Sequence, residues 1–156
     1  MSTTTIDRQQ TSQLALRILR EGYGEGAWHG PDLKAALADV TPALAFWRPG
    51  PGRHNIAEIA LHHAYTVHGV RTKLGSDVEP FVLAGEDWFE LADASTLAWT
   101  RIVEVVALEQ ERLEDLARGF QSAGTAGDSE RFDAMLGITC HAVYHAGQIQ
   151  LIKRLK

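Results

Sequence analysis

Apolar positions recur along this chain at helical rather than strand spacing. From Ile6 to about Glu21, Leu14, Leu16, Ile18 and Leu19 fall in a helix-compatible pattern, with Asp7 as a cap and Gly22 and Gly24 as a stop. Residues before Ile6 read as a frayed end. A Gly/Trp/Pro segment, Gly24 to Pro31, leads to a short helix over Asp32 to Val40, with Pro31 near its start where a missing N–H costs nothing. Pro42, Pro49, Gly50, Pro51 and Gly52 mark a loop. Asn55, with Glu58 one turn on, forms a capping box for a second long helix through Ile56, Ile59, Ala60, Val67, Val70 and Leu74 to Gly75. After an irregular stretch, Ser76 to Glu90, Asp93 or Ser95 opens a third long helix carrying Leu97, Ile102, Val105, Val106, Leu108, Leu113 and Leu116 to Gly119. A Gly/Ala/Ser linker, Gln121 to Asp128, precedes a last helix opened by Asp128 or Ser129 and running through Phe132, Leu136, Ile138, Val143, Ile149, Ile152 and Leu155.

No strand alternation of useful length and no internal repeat interrupts this pattern. Four long helices predict an all-α protein, a four-helix bundle forming a single domain over residues 1–156. The stretch Ser76 to Glu90 is long for a tight hairpin and reads as a crossover or as a loop covering a site.

Charge narrows the partners. The formal net charge is −5, and the basic cluster Lys153, Arg154 and Lys156 sits where it complements the negative end of the last helix, so a nucleic-acid partner is not expected. The polar start, Met1 to Gln10, does not read as a signal peptide, and no apolar run is long enough to span a membrane. Cys140 is the single cysteine, which fits a reducing cytoplasm; it is expected to be buried and inert.

Chemistry concentrates in seven histidines, His29, His54, His62, His63, His68, His141 and His145. A spacing of four on a helix brings His141 and His145 to one face, one turn apart, so that two imidazoles can grip one ion. The residues between them are Ala142, Val143 and Tyr144, without the Glu of a zincin, so the metalloprotease reading fails. A third ligand must come from elsewhere. His62 and His63 stand about 100° apart around the second helix and cannot both face one point; periodicity does not choose between them. Glu58 lies one turn before His62 on the same side, placed either to orient it or to approach a metal itself. His68 is expected to face outward, and His29 and His54 to be solvated. Three neutral imidazoles with an open position suit Zn²⁺ or Ni²⁺ first, and accept Fe²⁺, Mn²⁺ or Cu²⁺.

Tyr144 lies off the ligand face, as a proton donor or a packed aromatic. Gln148, one turn after His145, either supports that ligand or bonds a neighbouring helix. Trp28, Trp47, Trp88 and Trp99 line a pocket or a dimer seam, or anchor loops on the bundle.

The C-terminal stretch Gly137-Ile-Thr-Cys-His141-Ala-Val-Tyr144-His145-Ala-Gly147-Gln148-Ile149 resembles the end of DinB-like (YfiT-like) metal-binding proteins, whose hallmark there is a spaced His pair followed by Gly-Gln-Ile. Asn55-Ile-Ala-Glu58-Ile-Ala-Leu-His62-His63-Ala-Tyr65 is similar to a segment of the same family, and Ala27-Trp28-His29-Gly30-Pro31 resembles one of its loops. The resemblance spans about Gly24 to Lys156. It implies an up-down-down-up bundle with the long crossover between the second and third long helices, often a homodimer. It puts the family's ligand histidine on His62, with His63 where an aliphatic residue is more usual. It implies a divalent metal on His62, His141 and His145, with water completing the shell.

Relatives in that family include thiol transferases using bacillithiol or mycothiol, a thiol-dependent isomerase, and proteins described as metal-dependent hydrolases. The resemblance therefore implies a metal-dependent enzyme, a thiol transferase or hydrolase acting on a small molecule such as a low-molecular-weight thiol; the catalytic residues stay open. The alternative is a non-catalytic, stress-associated metal-binding protein. Structural zinc sites usually close all four positions with protein ligands, and three convincing ones lean towards an open site.

Overall fold

Asn55 starts its helix as the sequence predicts, whereas the short helix expected over Asp32 to Val40 with Pro31 at its start spans Leu33–Leu37 and is capped by Asp32. Asn55 Oδ1 accepts from the Glu58 N–H at 2.9 Å, and Asp32 Oδ1 accepts from the Ala35 N–H at 3.1 Å. The computed structural model describes residues 3–24, 26–75, 78–120 and 128–156. Among them the chain forms α1 (Thr3–Gly22), α2 (Leu33–Leu37), α3 (Pro42–Ala45), α4 (Ile56–Leu74), α5 (Trp99–Arg118) and α6 (Asp128–Leu155), and no strand. The protein is all-α. No helix among the described residues is long and apolar enough to cross a membrane.

Several boundaries differ from expectation. Helix α1 begins at Thr3, ahead of Asp7, so Asp7 lies inside the helix rather than capping it, and the expected frayed end is partly helical. Thr41 caps a short α3, its hydroxyl accepting from the Leu44 N–H at 3.3 Å, where prolines alone predicted a loop; Pro42 sits at the tolerated first position. Asp93 does not open α5. Its carboxylate accepts from the Ser95 N–H at 2.7 Å, closing a local turn, and the helix starts at Trp99 without a side-chain cap. Most of the expected linker Gln121 to Asp128 lies outside the described residues, as do Ser76 and Asp77; Asp128 opens α6 as expected.

The long helices pack in neighbouring pairs, α4 on α5 and α6, and α1 on α5 and α6, with α2 against α6. Leu33, Ile56, Leu61, Ile102 and Ile149 are fully buried in one apolar cluster; each such side chain contributes about 1.5–3 kcal/mol by burial. Leu19, Val67, Leu113 and Met135 form a second cluster between α1, α4, α5 and α6. Gly22 permits the close approach of α1 to α6: a methyl there would stand 2.8 Å from Ala142 Cβ and 3.1 Å from the Thr139 carbonyl oxygen. Trp99 anchors α5 by donating its indole N–H to the Val40 carbonyl at 2.8 Å. Lys153 pairs with Asp39 and the Ala36 carbonyl, tying the end of α6 to α2 rather than only offsetting its own helix dipole.

Candidate metal centre

The capping box that starts α4 also positions the site. The buried Glu58 carboxylate receives Arg48 at 2.5 Å, His54 Nδ1 at 3.0 Å, and the N–H groups of Leu91 at 3.0 Å and Asn55 at 3.3 Å. Asn55 Nδ2 in turn donates to the Leu91 carbonyl at 2.6 Å. Burial alone would raise the Glu58 carboxyl, but bonds from Arg48, Leu91, His54 and Asn55 outweigh it and hold the group below the usual carboxylate range. Glu58 therefore clamps the Phe81–Leu91 segment to the start of α4. It neither orients His62 nor faces a metal, because its oxygens are already engaged.

That clamped segment delivers Asp87 and Trp88 to His62. Asp87 has φ 53°, the one positive value at a non-glycine among the described residues, so its backbone is held in the left-handed region. This turn aims its carbonyl at His62 Nδ1, 2.9 Å away, with Asp87 Oδ1 at 3.1 Å from the same nitrogen. The Trp88 indole lies flat between His54, at 3.7 Å, and His62, at 3.9 Å between ring centroids. Sequence periodicity cannot locate such contacts, because the segment is irregular; its unusual length was the available signal.

From α6 come His141 and His145, one turn apart as predicted. His62 Nε2 and His145 Nε2 each stand 3.1 Å from His141 Nε2. A metal at the usual Zn–N distance of about 2.0–2.1 Å spaces neighbouring nitrogens about 3.0–3.4 Å apart, so the donor set fits one divalent ion. His62 and His145 are buried and His141 half-buried. The outer nitrogens are all engaged. The His62 Nδ1–H donates to Asp87, the His145 Nδ1–H to Gln148 Oε1 at 2.6 Å, and His141 Nδ1 meets His63 Nδ1 at 3.0 Å. With their protons on Nδ1, His62 and His145 turn bare Nε2 lone pairs inward, the ligating tautomer.

Burial pushes His141 from 6.5 down to about 4, helped by the neighbouring His145 and His62. Burial likewise takes His145 to about 4, its Gln148 bond pulling the other way. Both are therefore neutral at pH 7, as ligation requires.

The sequence choice between His62 and His63 resolves by direction. His62 faces the triad, whereas His63 is buried behind His141. Gln148 takes the supporting role, its Nε2 donating to the Tyr144 hydroxyl at 3.1 Å. Tyr144 is exposed beside the centre. Trp88 joins the site, Trp99 anchors α5, Trp47 is half-buried and Trp28 is exposed.

Two expectations need correction. Cys140 is exposed, because its rotation from His141 carries it onto the outer face of α6 with Leu136, Gly137, Tyr144 and Gly147. His68 does not face outward: it is half-buried, with Glu109 Oε1 at 3.4 Å and the Phe81 ring at 5.4 Å, since the segment after Val78 covers that side of α4. His54 is exposed as expected, yet it bonds Glu58 and stacks on Trp88, and His29 Nε2 meets the Glu21 carbonyl at 2.7 Å. Glu79 and Glu109 stand near His68 in a second grouping with ion-binding reach, but Arg71 meets Glu109 at 2.6 Å and Arg112 pairs with Glu79, so guanidinium groups already neutralise it.

A cleft of about 550 Å³ opens beside the centre. His54, Trp88, Tyr144, His145 and Gln148 line its inner end, and Ile59, Leu151, Ile152, Leu155, Pro49, Gly52 and Arg53 the remainder.

In comparisons with known proteins, the chain matches no family model, no curated protein and no solved structure.

Proposed function

We propose that this chain is a DinB-like metal enzyme that holds one divalent ion, Zn²⁺ or Ni²⁺ ahead of Fe²⁺ or Mn²⁺, on His62, His141 and His145 and acts on a small molecule in the adjoining cleft. The observation that carries this reading is the convergence of the Nε2 atoms at 3.1 Å while every Nδ1 is engaged elsewhere. Lone pairs brought this close repel one another unless a proton or a cation sits among them, and only a cation can accept all three at once. The packing of α1, α4, α5 and α6 supports the four-helix bundle with up-down-down-up order that the motifs imply, and the connection between α4 and α5 is its crossover. By the same resemblance the chain pairs as a homodimer.

The ion would supply Lewis-acid activation, ionising a bound thiol outright and lowering the pKa of a bound water. The residues around it do the rest. Trp88, Ile59, Leu151 and Ile152 give the cleft apolar walls that exclude water from one side of a substrate. Tyr144, held through Gln148, presents a hydroxyl at the inner end. Among the described residues the cleft lining holds no Asp or Glu, and a thiol or a water ionised on the ion would need none, so thiol transfer and hydrolysis both fit the cleft.

A specific observation keeps a second reading in view. The triad joins α4 to α6 and, through Asp87, to the clamped segment, so a metal there would also steady the fold. Two measurements separate the readings: melting temperature with and without a chelator, and conjugation of an electrophile by bacillithiol, mycothiol or glutathione. Turnover that vanishes on chelation, with a small melting shift, supports the enzyme. A large melting shift with no turnover supports the non-catalytic metal protein.

A further inference from the structure

His63 is the least explained polar group in the interior. Its side chain is fully buried, its Nδ1 lies 3.0 Å from His141 Nδ1, and its buried Nε2 has no hydrogen-bond partner among the described residues. It cannot reach the convergence point of the triad, since it leaves α4 about 100° from its neighbour His62.

The contact between His63 and His141 constrains the ligand. A bond between two imidazole nitrogens needs one proton, so two arrangements exist. In the first, His63 donates from Nδ1; His141 then carries its proton on Nε2, pointing at His62 and His145, where it blocks ligation. In the second, the His141 Nδ1–H donates and His63 accepts. The His141 Nε2 lone pair then faces inward with those of His62 and His145, and His63 bears its own proton on the partnerless Nε2. Each arrangement holds two protons on the pair, so the change from one to the other takes up and releases none. In the first, the His141 Nε2–H has acceptors at 3.1 Å, so the metal-free protein has a use for it. The second serves only when a cation receives the lone pairs.

From this geometry we infer that His63 is a positioning residue for the metal centre: it accepts the His141 Nδ1–H and so fixes Nε2 of His141 as the ligand atom. The inference rests on the metal-centre reading above. It gives His63 the part that Asp87 plays for His62 and Gln148 for His145, so that each ligand is held from behind by a different acceptor. A buried, partnerless Nε2 is the cost of using an imidazole for the purpose.

The test is Co²⁺ affinity by competition titration, with the absorption of the bound ion as a second readout, for wild type, His63→Leu, His63→Asn and His63→Gln. Leu removes the acceptor at similar size. Asn puts an oxygen near the place of Nδ1, whereas Gln puts its amide near the place of Nε2. The expected result is a loss of roughly tenfold to a hundredfold for Leu, with most of the affinity kept by Asn. The metal-free Leu variant should melt close to wild type, because loss of the unpartnered Nε2 offsets the His141 Nδ1 left without its bond. Affinity that falls while metal-free stability holds is a pattern that a merely structural role for His63 would not give. A folded Leu variant that binds as tightly as wild type overturns the assignment. If the Leu variant does not fold, Asn against Gln decides: tighter binding by Asn supports it, and equal binding overturns it. Wild type that takes up no Co²⁺ overturns the centre itself, whereas wild type and Leu binding alike overturns only the role of His63.

Discussion

His62 Nε2 and His141 Nε2 stand 3.1 Å apart across the contact between α4 and α6, although the residues are far apart in sequence. Their alignment depends on groups that touch neither inner nitrogen: Asp87 and Trp88 behind His62, and His63 behind His141. Those supports are the most direct handles on the site.

Glu58 separates scaffolding from ligation. Glu58→Gln should lower stability by about 1–3 kcal/mol, because it weakens a buried carboxylate that several donors address. It should leave the metal-to-protein ratio at saturation unchanged, since Glu58 is not a ligand. Urea unfolding and elemental analysis of the same preparation check both halves.

The backbone at Asp87 predicts a difference between two substitutions. Asp87→Gly relieves the left-handed strain and keeps the carbonyl that His62 uses, whereas Asp87→Val keeps the strain and adds a branched side chain at φ 53°. The Val variant should be less stable than the Gly variant by about 1–2 kcal/mol, and it should bind metal more weakly. Thermal melts with and without Zn²⁺ measure both effects.

The histidine environments set a pH dependence for the metal-free protein. His141 and His145 lie at about 4 in the folded chain against an ordinary 6.5, and burial depresses His63 in the same direction. Unfolded chains thus take up protons first as pH falls, so stability present above pH 6.5 declines progressively towards pH 4. Melting temperatures in excess chelator, recorded between those limits, should fall steadily as pH drops; a flat profile would contradict the lowered His141 and His145.

Gly22→Ala tests the approach of α1 to α6. The added methyl meets Ala142 Cβ at 2.8 Å and backbone at 3.1 Å, neither of which is the end of a flexible side chain. A loss of about 1–3 kcal/mol in denaturant unfolding is expected despite the better helix propensity of alanine.

The long helices were legible in the sequence because capping and periodicity are local: Asn55 with Glu58, and the apolar run of α4, specify that helix without help from the rest of the chain. The spacing of His141 and His145 was legible for the same reason. Trp99 was not, as a helix start, because Asp93 spends its carboxylate on a turn rather than a cap. The roles of Asp87, Trp88 and His63 depend on how an irregular segment and two helices meet, which no periodicity encodes. Glu58 shows the limit most clearly. It shares a helix face with His62, yet Arg48, His54 and Leu91, brought in by tertiary packing, claim its oxygens first.

The most direct measurement is bound metal per chain by elemental analysis of untagged protein, for wild type and for His62→Ala, His141→Ala and His145→Ala. A three-histidine centre predicts about one divalent ion per wild-type chain and its loss in each variant, with all four proteins folded by circular dichroism. Wild type that stays metal-free after reconstitution, or folded variants that retain the ion as wild type does, would contradict it.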